Sequence, residues 1–146
     1  MISIREINEK DIDLCYELDL NTISFWSKRQ CESEFKKEGV KVFGLLVNNL
    51  IVGLCVSQVV LDEAHINYFA VAHKFRKNGF GSHLMNNLIK YCQKINVNKL
   101  FLEVSERNTI AQKFYDHFEF STLGIRRNYY KDGSAALLKE KKLRTK

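Results

Sequence analysis

The sequence predicts an α/β (α+β) fold, a mixed and mostly antiparallel central sheet of about seven strands flanked by about four helices. Three observations carry this. A long apolar stretch is split by Asn48-Asn49, a pair that tolerates the positive φ of a two-residue hairpin turn, so two antiparallel strands meet there. A strand-like run ending Phe69-Ala70-Val71 leads into a glycine-bearing loop and then into apolar residues at helical spacing. The 146 residues, 45% apolar and 27% charged, have the size and balance of one ordinary globular domain, here 1–146.

In order along the chain, Ile2, Ile4 and Ile7 open with a strand. Asn8-Glu9-Lys10-Asp11 then caps a helix that gathers Ile12, Cys15, Tyr16, Leu18 and Asp19 on roughly one face. Ser27-Lys28-Arg29-Gln30 repeats the capping pattern for a second helix reaching Lys37 and stopped by Gly39. Residues 42–47 and 50–56 form the hairpin, and a polar break at Asp62-Glu63 precedes a strand over 65–71. Leu84, Leu88, Tyr91, Cys92 and Ile95 share one face of a third helix. Residues 99–104 read as a strand, 108–117 as a helix, and 120–127 with 134–139 as a closing hairpin around Asp132-Gly133. The chain has no proline, which removes a usual marker of element ends.

Lysine and arginine number 23 against 17 acids, a net charge of +6 that favours anionic ligands without choosing one. Part of the excess lies in the terminal run 139–146, read as a solvated tail. The longest apolar run, 50–56, is far short of the ~20 residues that cross a bilayer. The first ten residues mix acid and base rather than presenting a basic patch and an apolar core, so no signal peptide and no membrane association are expected. Cys15, Cys31, Cys55 and Cys92 are far apart with no C-x-x-C pair, and read as reduced core thiols of a cytoplasmic protein. His65, His73, His83 and His117 show no zinc-binding spacing, and no metal is expected.

Chemistry concentrates at four places. Arg76-Lys77-Asn78-Gly79-Phe80-Gly81-Ser82 joins a strand to a helix, where successive main-chain N–H groups attract a phosphate. The same residues also fit an ordinary tight turn. The loop is neither a Walker loop nor the dinucleotide fingerprint, since Leu84 stands where a third glycine belongs. Alternation sets Leu100, Leu102 and Val104 on one face of their strand and Phe101 and Glu103 on the other, so Glu103 is either a solvent-facing strand end or a general base. Asn108 reads as a helix cap, and Tyr115 falls on a packing stripe with Ala111, Phe114 and Phe118, although its polar tip could meet a leaving group. Arg126-Arg127-Asn128-Tyr129-Tyr130-Lys131 interleaves cations and aromatics, which suits stacking on RNA bases, clamping a peptide, or an exposed hairpin tip.

Together these residues resemble the GNAT acyltransferase superfamily, whose R/Q-x-x-G-x-G/A loop appears as residues 76–81 after Phe69-Ala70-Val71. Val59-Val60-Leu61-Asp62-Glu63-Ala64, Leu102-Glu103-Val104 with Asn108 and Phe114-Tyr115, and Ile125-Arg126-Arg127-Asn128-Tyr129-Tyr130 are similar to a bacterial branch, the RimI type, that acetylates the N-terminal alanine of ribosomal protein S-eighteen. The resemblance implies a GNAT-type fold and acetyl-CoA as co-substrate. Phe69, Ala70 and Val71 would hold the pantetheine arm and thioester, with Arg76, Lys77, Asn78, Gly79, Phe80, Gly81 and Ser82 around the pyrophosphate and Asn108 again on the cofactor. Glu103 would be the general base, through a water, and Tyr115 the general acid. Arg127, Tyr129 and Tyr130 would bind the acceptor, the N-terminus of a ribosomal protein, with nucleic acid not required. Two departures, His73 where relatives often carry proline and Phe25-Trp26 without an intervening proline, bear on the shape of the substrate-side loops. Two other readings stay open: a GNAT enzyme for another protein N-terminus or a small amine, and a non-catalytic RNA- or ribosome-binding module motivated by the charge and the basic aromatic hairpin.

Overall fold

The structure is a computed structural model that describes residues 2–143. Seven strands form one sheet in the order β1-β2-β3-β4-β5-β7-β6. These are β1 (Ile2–Glu6), β2 (Val40–Val47), β3 (Leu50–Val60), β4 (Glu63–Val71), β5 (Lys99–Ser105), β6 (Ser121–Arg126) and β7 (Ala136–Lys142). The four α-helices are α1 (Ile12–Leu20), α2 (Lys28–Lys36), α3 (Phe80–Lys94) and α4 (Thr109–His117). Every neighbouring strand pair is antiparallel except β4 with β5. That agrees with the mixed sheet expected from the sequence.

Local chemistry accounts for the elements. Asn48 and Asn49 take φ of 50° and 68°, both positive as a two-residue turn of this hand requires, and close the β2–β3 hairpin. Ser27 and Gln30 complete a reciprocal capping box at the start of α2. Each helix buries one stripe against the sheet. Leu84, Met85, Leu88 and Cys92 of α3, with Tyr115 of α4, pack on one face over Leu45, Cys55, Ile66, Leu100 and Leu102. Cys15 and Leu18 of α1 and Cys31 of α2, with Trp26, cover the other face over Val42, Leu54, Val56, Tyr68 and Ala70. All four cysteines are free and buried. Burial pushes the thiols of Cys15 and Cys92 up to about 12 and that of Cys31 to about 11, which keeps them protonated and inert at neutral pH. Among the described residues no helix is long and apolar enough to cross a membrane.

The structure departs from the sequence reading in the lengths of several elements. β3 runs four residues beyond Val56, because Ser57 and Gln58 pair with β4 like their apolar neighbours. A bulge in β4 absorbs Asn67, which lies between the paired residues Ile66 and Tyr68. α2 ends at Lys36, and α4 begins at Thr109 with Asn108 as its cap. The closing hairpin around Asp132-Gly133 is present with shifted limits, Ser121–Arg126 and Ala136–Lys142 joined by a loop over 127–135. The terminal run is no solvated tail as far as Leu143: Lys139 is buried in β7, held by Asp116 at 3.2 Å and by Thr122 Oγ1 at 3.0 Å. The remaining residues of that run, 144–146, lie outside the described part.

Candidate active site

The one parallel pairing is short. β4 and β5 are in register only from Glu63↔Lys99 to Ile66↔Leu102, and past those residues their carboxyl ends, 67–71 and 103–105, part without pairing. A wedge-shaped opening results between two central strands. Ala72 N–H donates to Val52 O at 2.7 Å, so at residue 72 the backbone faces β3. Main-chain groups alternate sides along a strand, and Phe69 and Val71 therefore turn their N–H and C=O toward the opening. There Arg76 Nε donates to Val71 O at 3.0 Å.

The glycine loop stands at the mouth of this opening. Lys77 and Gly79 both adopt left-handed backbone, with φ of 64° and 76°. Gly79 is the N-cap of α3 and no side chain caps the helix, which leaves the first amides of α3 without intrahelical partners. A Cβ at Gly79 would meet nothing within 4 Å, so its surroundings are open and only its φ demands glycine. Gly81 is hemmed in differently. A Cβ there would touch the ring of Phe114, in α4, at 3.4 Å, and that ring also packs on Phe69 with centroids 5.5 Å apart, so a side chain larger than a methyl would have to displace it. Asn78 Nδ2 bonds back to Phe75 O and Arg76 O and shapes the loop. Asn108 accepts from Ala111 N at 3.1 Å through its Oδ1, leaving its Nδ2 as a donor at the exposed start of α4.

Glu103 and Tyr115 lie on opposite faces of the sheet. Leu102 and Val104 point into the α3/α4 core, and Glu103 turns to the other face with its side chain 36% exposed. Its nearest cation is Arg126, at 3.9 Å and itself half-exposed, a long pair that holds the carboxylate loosely. Tyr115 is 8% exposed, ringed by Phe69, Phe114 and Phe120. Burial pushes its phenol well above the ordinary tyrosine range. The hydroxyl thus stays a proton donor at any physiological pH. Tyr130 lies near both groups: burial, then the charge of Glu103, push its phenol upward as well.

On the Glu103 side the opening continues into a groove of about 840 Å³. One wall is the loop after α1 together with α2, contributing Ile23, Phe25, Trp26 and Glu34. The other is the β6–β7 loop, contributing Tyr130, Lys131 and Asp132. That second loop is pinned to the end of β5 by Ser105 and Ser134, whose hydroxyls lie 3.1 Å apart, and by Glu106 N donating to Ala135 O at 2.9 Å. Of the three acceptor residues expected from the sequence, only Tyr130 lines the groove. Tyr129 faces away, its ring under Arg126 at 5.7 Å, and Arg127 is exposed. The reason is the loop itself: Tyr129 and Tyr130 N–H both bond to Ser134 O, and the two rings pack edge to face with centroids 5.0 Å apart, so that only the second lines the groove. The first wall was missed as a set of binding residues. Its signal was the adjacent pair Phe25-Trp26 in an otherwise polar connection between two short helices. Among the described residues no cluster of three potential metal ligands occurs.

The acetyltransferase (GNAT) family model matches residues 6–120 of the chain. A Haemophilus ducreyi protein described as a [ribosomal protein bS18]-alanine N-acetyltransferase is 34% identical over 136 residues, covering 90% of this chain and 92% of its own. A protein of the same description from Escherichia coli is 32% identical, with 89% and 88% covered. The crystal structure of that Escherichia coli type of enzyme is similar with a TM-score of 0.93 at 30% identity, covering 100% of this chain and 96% of its own. Ard1 from Thermoplasma volcanium is similar with a TM-score of 0.88 at 28% identity, 98% of each chain being covered. By its family match, its relatives and its sheet, the chain belongs to the GNAT family of N-acetyltransferases.

Proposed function

We propose that this chain is a cytoplasmic, acetyl-CoA-dependent N-terminal α-amino acetyltransferase, acting as one domain over 1–146, with the N-terminal alanine of ribosomal protein bS18 as acceptor. The observation that carries the reading is the parting of β4 and β5, with an uncapped helix start at one end and a peptide-sized groove at the other. The relatives described as bS18-alanine N-acetyltransferases support the acceptor.

In this reading the amides of residues 77–82, backed by Arg76, receive the pyrophosphate of coenzyme A, and the outward main-chain groups of Phe69 and Val71 receive the amide-bearing pantetheine arm as a strand would. Ala70 lines the same strand end, and Asn108 offers its Nδ2 to the cofactor. The acceptor enters from the groove beside Tyr130. An α-amine with a pKa of about 7.7–8.0 is roughly one-tenth neutral at pH 7, whereas lysine at about 10.4 is almost wholly charged, so a modest base suffices for the former. Glu103 takes the amine proton through a water, the neutral nitrogen forms the new C–N bond at the thioester carbon, the C–S bond breaks, and the nitrogen's second excess proton leaves through the same water to solvent. Val71 N–H stabilises the developing oxyanion. Tyr115 delivers a proton to the departing thiolate from the opposite face. Base and acid on opposite sides of the sheet avoid neutralising one another.

The test is a peptide panel incubated with purified protein and acetyl-CoA, with free thiol followed over time. Thiol release is expected with an Ala-start bS18 peptide and none with a lysine peptide whose terminus is blocked. Turnover of small amines in preference to the peptide would move the acceptor assignment. RNA binding without any thiol release would replace the enzymatic reading altogether.

A further inference from the structure

The groove wall formed by residues 21–26 contains no regular structure, yet it is tied to one fully buried carboxylate. Asp19, at the end of α1, is 0% exposed. Its Oδ1 and Oδ2 each accept from Phe25 N at 3.0 Å, Oδ2 accepts from Trp26 N at 2.8 Å, and Oδ1 accepts from Tyr68 Oη at 2.9 Å. The main chain of the same residue repeats the grip, its carbonyl accepting from Thr22 N at 3.1 Å and Ser24 N at 2.7 Å. Ser24 is held at a φ of 54°, in the left-handed region that few non-glycine residues occupy. Trp26 stacks on Tyr68 with centroids 4.2 Å apart. Tyr68 belongs to β4 and immediately precedes Phe69, so this single carboxylate joins the acceptor wall to the strand that flanks the opening.

From this we infer that Asp19 is a positioning residue for the acceptor: it sets the distance between the Phe25-Trp26 wall and the end of β4, and thereby the grip on the incoming peptide. The inference rests on the reading of the groove as the acceptor site. An amide in place of the carboxylate tests it sharply, because Asn presents an N–H₂ group to main-chain donors and at least one pairing becomes donor against donor.

Asp19→Asn and Tyr68→Phe are compared with wild type by acceptor KM, acetyl-CoA KM and the emission of Trp26, the chain's only tryptophan. Asp19→Asn is expected to raise acceptor KM about tenfold or more, to leave acetyl-CoA KM within about twofold, and to shift Trp26 emission to the red. Tyr68→Phe removes one hydrogen bond and keeps the ring stack, and is expected to give the same split at about threefold. A role confined to stability would lower Tm without separating the two KM values. Wild-type acceptor KM in Tyr68→Phe with unshifted emission in Asp19→Asn overturns the inference, as does a parallel rise of both KM values. Should Asp19→Asn not fold, the KM split in Tyr68→Phe decides by itself. If wild type acetylates no α-amine, the functional reading fails instead, and the emission of Asp19→Asn still reports whether the carboxylate holds the wall.

Discussion

Tyr115 and Glu103 differ in what their surroundings permit. The phenol is buried among aromatic rings, and that burial holds it protonated, whereas the carboxylate is partly exposed with one distant cation. Tyr115→Phe and Glu103→Gln are each expected to lower kcat by about 100–10,000-fold, as for positioned acid–base groups, with acetyl-CoA affinity little changed. The sign of the phenol shift fixes the pH profile. Since burial raises the pKa of Tyr115, its donor form persists above the ordinary tyrosine value. The rate is therefore expected to climb as the acceptor amine loses its proton near pH 8 and to show no fall from this phenol below about pH 10. A profile of kcat/KM checks both limbs, and a descending limb near neutrality that vanishes in Tyr115→Phe would contradict the assignment. At this scale the sequence made Glu103 legible through strict alternation, which left a carboxylate on the face opposite Leu102 and Val104. It could not separate Tyr129 from Tyr130, because only the fold of the 127–135 loop decides which ring meets the groove.

The strand–loop–helix unit of β4 and α3 shows how two glycines at nearby positions answer different demands. Gly79 has open space and a left-handed φ, whereas Gly81 has an acceptable φ and an aromatic neighbour. Gly79→Val would force a β-branched residue into left-handed backbone at a cost of about 1–2 kcal/mol. Gly81→Val would overpack Phe114, typically by about 1–3 kcal/mol. Both are expected to weaken acetyl-CoA binding by calorimetry, and Gly81→Val should also lower Tm more than Gly79→Ala does. Unchanged affinity in both would remove the loop from the cofactor site. Elements with their own local chemistry were readable: the Asn48-Asn49 turn, the Ser27 capping box, and the apolar stripe of α3. Those whose limits depend on partners were not. β3 overran its apolar core because β4 supplies a neighbour for Ser57 and Gln58, and β7 reached into a basic run because Asp116 and Thr122 receive Lys139.

At the scale of the molecule, the two core clusters lie on opposite faces of one sheet, and the sheet opens where β4 and β5 part. Neither the pairing order nor this break is written in any local pattern, since parallel neighbours 36 residues apart, such as Glu63 and Lys99, are brought together by the crossover through α3. The break leaves main-chain donors and acceptors of an internal strand facing outward, a condition ordinarily met only at the rim of a sheet. A bound molecule carrying its own amide groups would supply the missing rung, so ligand binding and sheet completion become a single event. Backbone amides of Phe69 and Val71 should then exchange with deuterium quickly in the free protein and slowly with coenzyme A present, whereas those buried in the β2–β3 ladder should be protected in both states. Equal exchange at Phe69 and Val71 with and without the ligand would mean that the seam closes by other means. The protein, on this view, is one hydrogen-bonded rib short of a continuous sheet until its co-substrate arrives.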